Sequence, residues 1–431
     1  MRIRLFFASF FILFFLINKI NAQIDPSLLK ATNDSVTSGS DTSKHALTMD
    51  AIYSRPFLKL GKTPVSIGGY MESDWQYVQT SGINIGNQFQ FRRFSLFVAS
   101  SISSRVKFLS EIEYEDDPTG DDDVPGVAPS FEVEYAALDI EFHPLVNLRA
   151  GMIVNPIGAF NQNHDGPKWE FTDRPVAMSQ MLPDTWSNTG FGIYGKQYTK
   201  NWMFGYEFYL TGGFDDAIID NPQGETYLPA AKASTTRFTQ SASGTPMYTG
   251  KLSIRNDKIG ELGLSFMSDV YNTWEIEGTP VDNERTVNVY DVDFNTTINK
   301  TKTFITTEWA LINIQIPPNY LEQYSSKQYG GFIDIVQPVL KGKILGWDNA
   351  SLNIAVRGEY VDWNAGTFVS TGTRMYNDLW QVTPAISFRP SPQTVLRFNY
   401  HHGVRRDITG NTIGASLGPT GGFSFGVATY F

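Results

Sequence analysis

The chain contains no cysteine, so no disulfide holds it together and no cysteine–histidine catalytic pair can form. Histidine is scarce, with 5 in 431 residues. No G-x-x-x-x-G-K-[ST] phosphate loop occurs. Positive charge is also in deficit: 34 Lys+Arg stand against 44 Asp+Glu. That balance argues against nucleic acid or an anionic membrane surface as partner. After the first two dozen residues there is no long apolar run, so no helical membrane span is readable.

The beginning of the chain carries one apolar run. Arg2 and Arg4 precede the stretch Leu5 to Ile17, and Asn21-Ala22 follows with a small residue. This is the three-part pattern of a secretory leader, with a cut expected between Ala22 and Gln23. Removing Arg2, Arg4 and Lys19 leaves 31 basic residues against 44 acidic, a net charge of −13. Residues 31–50 are polar and aperiodic, and the sequence predicts a flexible segment over 23–64.

From Val65 onward the dominant period is two. In "RVKFLSEIEYED", Val106, Phe108, Ile112 and Tyr114 share one face, and Lys107, Glu111, Glu113 and Glu115 the other. "NVYDVDFN" sets Tyr290, Val292 and Phe294 against Asp291, Asp293 and Asn295. Such runs are longer than the five or six residues usual for a globular strand, and they match the ~9–11 needed to cross a bilayer tilted. Charged faces repeated strand after strand fit a wet lumen inside a lipid-facing barrel. The alternation yields about sixteen strands. They fall near 65–78, 88–100, 105–115, 131–142, 146–154, 188–197, 202–212, 248–255, 260–271, 285–297, 302–312, 329–339, 351–362, 378–389, 394–404 and 421–431. Tight connections such as 101–104 and 143–146 alternate with long ones such as 155–187 and 213–247, and 340–350 is a mild exception. The expected fold is therefore all-β: a transmembrane antiparallel β-barrel over 65–431, with short periplasmic turns and long extracellular loops. Tyr290, Trp309, Tyr360 and Tyr430 are expected in its aromatic girdles.

The connection from Asn155 to Trp186 is too long and too rich in aromatics to be slack. Folded inward as the third loop, it would narrow the lumen with His164, Asp165, Lys168, Glu170, Asp173 and Arg174. Strand parity adds Arg93, Lys107, Arg149, Arg357 and Arg397 to the inner face. The same face carries more acids, among them Glu111, Glu113, Asp139, Asp269, Asp291, Asp293, Glu308 and Glu359. His401 is expected inside and His402 at the lipid interface, so they form no joint site. The cluster Asp116, Asp117, Asp121, Asp122 and Asp123 lacks the spacing of a calcium loop and reads as an acidic surface loop.

"QFQFRRFSLFVASSISSRVKFLSEIEYED", followed by "LRAGMIVNPIGAF" and "FTDRP", resembles the phosphate-selective porin O and P family in its Bacteroidetes branch. The resemblance covers most of 65–431, and its specific part is 88–195. It implies a sixteen-stranded porin of the Gram-negative outer membrane, often a homotrimer, passing small hydrophilic solutes or ions, with phosphate and other anions as candidates. The constriction or solute-binding residues expected here are Arg93, Lys107, Arg149, His164, Asp165, Lys168, Asp173 and Arg174. Because acids outnumber bases on the inner face, the residues themselves favour a mixed-charge pore over an anion-selective one. No enzyme, cofactor or metal is expected. The alternative is a barrel that anchors a binding or assembly component, since long loops carry recognition. The last strand, "GGFSFGVATYF", would close the barrel against the strand at Val65. Its terminal Phe431 resembles the signal that the barrel-assembly machinery reads.

Overall fold

The computed structural model describes residues 46–60, 63–80, 83–115, 130–221, 224–233, 243–318, 320, 325–368, 371–412 and 420–431. The expected leader, residues 23–45 and the acidic loop at 116–129 lie outside the described residues.

Sixteen long strands form the wall. They are β1 Val65–Thr80, β2 Ile83–Ser101, β3 Val106–Glu115, β4 Ser130–His143, β5 Val146–Val154, β6 Ser187–Tyr198, β7 Trp202–Thr211, β8 Met247–Asn256, β9 Gly260–Val270, β10 Thr286–Ile298, β11 Thr303–Ile314, β12 Lys327–Ile344, β13 Trp347–Asp362, β14 Asp378–Ser391, β15 Thr394–Arg406 and β16 Thr420–Tyr430. Each pairs antiparallel with its sequence neighbours. The ring closes where β16 meets β1, with Phe425 opposite Trp75 and Tyr430 opposite Tyr70. Among the described residues, closure leaves this wall no unpaired strand edge, which a bilayer would not tolerate.

The alternation seen in the sequence becomes the two faces of the wall. Along β9, Glu261, Gly263 and Ser265 are buried inward while Leu262, Leu264 and Phe266 are exposed outward. Phe266, Tyr290 and Leu311 are neighbours across β9, β10 and β11, so the outer residues join into an apolar belt. Such a belt is stable only against lipid or another apolar surface.

Two features depart from the expected outline. The stretch 340–350 is a tight hairpin, because β12 runs to Ile344 and β13 starts at Trp347. Leu345 and Gly346 turn it with φ of 50° and 91°, the backbone a two-residue hairpin requires. Tyr430, expected in the outer girdle, faces inward, where its hydroxyl donates to Asp165 Oδ2 at 2.6 Å. Its parity with Ser424, Gly426 and Ala428 on the inner face of β16 is the reason. Phe431 does lie outside, stacked on Phe94 with centroids 5.6 Å apart.

Candidate functional site

The lumen is crossed, not merely narrowed. The third loop, 155–186, bonds to strands on opposite sides of the ring. On the β8–β11 side, Gly158 O accepts from Lys251 Nζ at 2.7 Å, and Ala159 N and Phe160 N each donate to Glu308 Oε2 at 2.7 Å. On the β15–β16 side, Thr172 shares a hydroxyl bond with Ser424 at 2.7 Å, and Arg397 donates to Phe171 O at 2.6 Å. Gly158 is required at the first contact. Its φ is +71°, and a Cβ there would stand 1.9 Å from Glu308 Oε1.

Toward the long-loop end an apolar cluster fills the interior. Ile157, Phe160, Met178, Met181, Leu182 and Trp186 of the third loop pack on Val287, Val289, Ile312 and Phe332 of the wall. Phe214, Ile218, Ile219 and Leu228 of the next long connection complete it. A wet lumen with charged faces was expected, yet here the inner wall switches to apolar residues where the loops dock. Burying that much apolar surface is the dominant favourable term holding the loop in place.

From the short-turn end a second segment of the same chain enters. Residues 46–60 belong to the segment expected to be flexible, but they are seated against the inner wall. Leu47 and Met49 are buried with Tyr194 and Met203. Asp50 pairs with Lys196. Thr48 N donates to Glu261 Oε1 at 2.9 Å, and Ala51 O accepts from Lys168 Nζ at 3.2 Å. Tyr53 bonds to Tyr135 Oη at 2.9 Å and to Asp139. Arg55 ends in a buried acidic pocket described below. Leu58–Lys59 then pair with β1. Flexibility was expected here, but the inner wall and the third loop supply partners for Thr48, Asp50, Ala51, Tyr53 and Arg55.

Of the residues expected at a constriction, all that belong to strands face inward, and none stands as an uncompensated charge. Arg93 contacts Glu115, Glu113 and Glu72, and is 1% exposed. Arg149 forks onto Asp139 at 2.7 Å and Glu207 at 3.1 Å and lies over the Tyr194 ring at 4.6 Å. Lys107 pairs with Glu141 at 2.6 Å near the short-turn end and stays half-buried. Asp173 accepts from Arg92 at 2.8 Å and faces His401 at 3.1 Å. Arg174 pairs with Asp184 at 2.6 Å. His164, Asp165 and Lys168 come together around Arg55, apart from the rest. Burial pushes the His164 imidazole down to about 3, so it is neutral, and its Nδ1 donates to Asn161 O at 2.8 Å. Burial would raise the Asp165 carboxyl, but Arg55 and Lys168 outweigh it and hold it well below the usual range. His401 faces inward and His402 lies against Trp380 outside, as parity requires.

Several inner residues escape strict alternation. Glu72 pairs with Arg93 but Asp74 with Gln90, so β2 carries one extra residue, and Arg92 joins Arg93 on the inner face. A second bulge on β4 turns Glu134 inward beside Tyr135. The doubled Arg-Arg is the only sequence trace of the first bulge. Arg55 and Asp50 gave no signal, because nothing local marks a residue as the partner of a distant wall.

No protein-family model matches the chain. An uncharacterised protein of Aquifex aeolicus is 30% identical over 213 residues, spanning 49% of this chain and 46% of that protein. The match therefore covers about half of either chain. Among solved structures, the outer membrane channel DcaP of Acinetobacter baumannii superposes with a TM-score of 0.53 at 10% identity, covering 85% of this chain and 97% of that one. Salmonella typhi OmpF, solved with daunomycin, gives 0.52 at 8% identity over 85% and 97%. An anion-selective porin from Comamonas acidovorans gives 0.50 at 11% over 85% and 99%. At these identities the likeness concerns the fold: a closed sixteen-stranded antiparallel barrel.

Proposed function

We propose that the protein is an outer-membrane channel for small hydrophilic solutes, with its lumen occupied in the described state by the third loop and residues 46–60. The observation that carries this is the closed ring itself, apolar outside, charged inside and bridged by a loop. The similarly folded DcaP channel and anion-selective porin support the reading by analogy of fold. Residues 1–22 serve in it as a cleaved leader and 65–431 as the barrel, with Phe431 engaging the assembly machinery and the apolar belt accommodating lipid or sister barrels. The chain acts as a conduit and not as an enzyme.

The inner charges favour cations and neutral solutes over phosphate. Arg93, Lys107, Arg149, Arg357 and Arg397 are each engaged by carboxylates, which removes the free cationic path an anion needs. On β8–β11, five buried acids, Glu261, Asp269, Asp291, Asp293 and Glu308, meet one buried base, Lys251, among the described residues. A filled lumen also suits the second reading, a barrel that anchors a binding or assembly component. Planar-bilayer recording separates the two. The channel reading expects cation-leaning conductance that rises in an Asp50→Ala, Arg55→Ala variant with weakened ties on the inner segment. Folded barrels that never conduct, in either form, favour the anchor. A reversal potential showing anion preference overturns the selectivity.

A further inference from the structure

The strongest unassigned feature is the seat of Arg55. Its guanidinium is 1% exposed and recognised on every side. Nε donates to Asp165 Oδ2 at 2.9 Å and one terminal nitrogen to Oδ1 at 2.5 Å, a two-pronged fork. The other terminal nitrogen lies 2.7 Å from Glu111 Oε2. Cζ stands 4.1 Å from the centroid of Phe97. His164 Nε2 is 3.5 Å away, and its neutral lone pair can accept, since Nδ1 carries the proton. Two carboxylates, a neutral acceptor and an aromatic face are the set that distinguishes a planar guanidinium from a compact ammonium.

The other walls of the pocket come from separate parts of the fold. Phe97 belongs to β2 and Glu111 to β3, while His164 and Asp165 belong to the third loop. Tyr430 and Lys168 contact Asp165, and Asn161 O fixes His164. Only the guanidinium comes from the inner segment, whose neighbours Tyr53, Phe57 and Lys59 wall a cavity of about 330 Å³ at the short-turn end.

We propose that this pocket is a binding site for guanidinium-bearing solutes, and that Arg55 occupies it as a tethered stand-in. The inference rests on the channel reading for its role in transport, but the site itself can be tested without conductance. With Arg55 in place the site is filled, because an intramolecular group competes at high effective concentration. When the segment withdraws, a solute carrying the same group takes its place.

The test is chemical rescue. Arg55→Ala leaves Glu111 without its cation and Asp165 with Lys168 alone. Millimolar methylguanidinium should raise the melting temperature of this variant in detergent, saturably, and leave the wild type unmoved. Tetramethylammonium should be weaker by about tenfold or more, since it lacks donors. Adding Asp165→Asn should abolish the rescue. Should Arg55→Ala fail to fold, refolding yield with and without methylguanidinium reads the same property. Absence of rescue, or equal rescue by tetramethylammonium, overturns the proposal. So does stabilisation by Zn²⁺ alone, which would assign the vacated pocket to a metal held by Glu111, Glu134 and His164, whose ligand atoms lie within 4.8 Å of one another. Conductance keeps the two claims apart. A conducting Arg55→Ala barrel that methylguanidinium neither blocks nor stabilises refutes the site and keeps the channel. Rescue in a barrel that never conducts keeps the site and refutes the channel.

Discussion

Removing Arg357 tests whether the lumen is packed or wet. This residue lies on β13 with 2% of its surface exposed. Its guanidinium forks onto Asp334 at 2.7 and 2.8 Å, donates to Asp173 O of the third loop at 2.7 Å, and stacks over Phe171 at 4.3 Å. Arg357→Ala deletes all of these at once and leaves Asp334 buried without its cation. Breaking one side of a buried pair costs about 3–5 kcal/mol, most of it the penalty of the stranded charge. The lost aromatic stack accounts for roughly 2 kcal/mol within that range when desolvated. Replacing both partners, as in Arg357→Met with Asp334→Leu, removes the stranded charge and should recover most of the loss. Lys107→Ala is the internal comparison. Its pair with Glu141 has side chains 20% and 26% exposed, so its removal should cost under about 1 kcal/mol. Urea unfolding in micelles, followed by tryptophan fluorescence, supplies the midpoints. If Arg357→Ala sits within about 1 kcal/mol of wild type, like Lys107→Ala, water solvates Asp334 and the packed-lumen account is wrong.

Three further outcomes follow from other contacts. Burial holds the His164 imidazole near a pKa of about 3, against about 6.5 when unfolded. The unfolded chain therefore takes up the proton first as pH falls, and stability declines below about pH 6.5. Between pH 7 and pH 5 the wild type should lose about 2 kcal/mol more than His164→Asn, read from urea midpoints at both pH values. Equal acid sensitivity of the two proteins would mean that the imidazole is hydrated. The closing seam gives the other two. Phe431 N donates to Gly69 O at 3.0 Å, and a Cβ on Gly69 would lie 2.3 Å from Ser95 O and 2.5 Å from the Phe431 ring. Gly69→Val should therefore destabilise the refolded barrel by about 1–3 kcal/mol, as overpacking does. Deleting Phe431 should instead lower surface levels in cells more than it lowers refolding in detergent. Normal surface levels after the deletion would refute the assembly role.

Much of the wall was legible because its physics is local. A residue on a lipid-crossing strand faces either lipid or interior, and period two records which. Leu264 and Asp291 show this directly, one 51% exposed outside and the other buried inside. Alternation failed where a bulge inserted a residue, as at Arg92 and Glu134, because parity flips with no change in composition. It also erred at Tyr430, where residue type suggested an outer girdle but the pleat turned the ring inward. The loop's inward course was readable from its length and aromatics. Its partners were not, since Ala159 and Phe160 meet Glu308 across a sequence distance that no local pattern encodes.

The sequence alone determined a barrel: the alternating strands, the long and short connections, the apolar outer face and the acid-rich inner one. These follow from the bilayer, which imposes the same local demand on each strand. Tertiary structure alone decided that a second segment joins the third loop inside the barrel. Residues 46–60 fall in the segment expected to be flexible, and are seated where Lys196, Glu261, Asp139, Glu111 and Asp165 converge on them from separate strands and the third loop and where Leu47 and Met49 pack on Tyr194 and Met203. That convergence is set by closure of the ring, which brings distant inner faces within hydrogen-bonding reach of one segment.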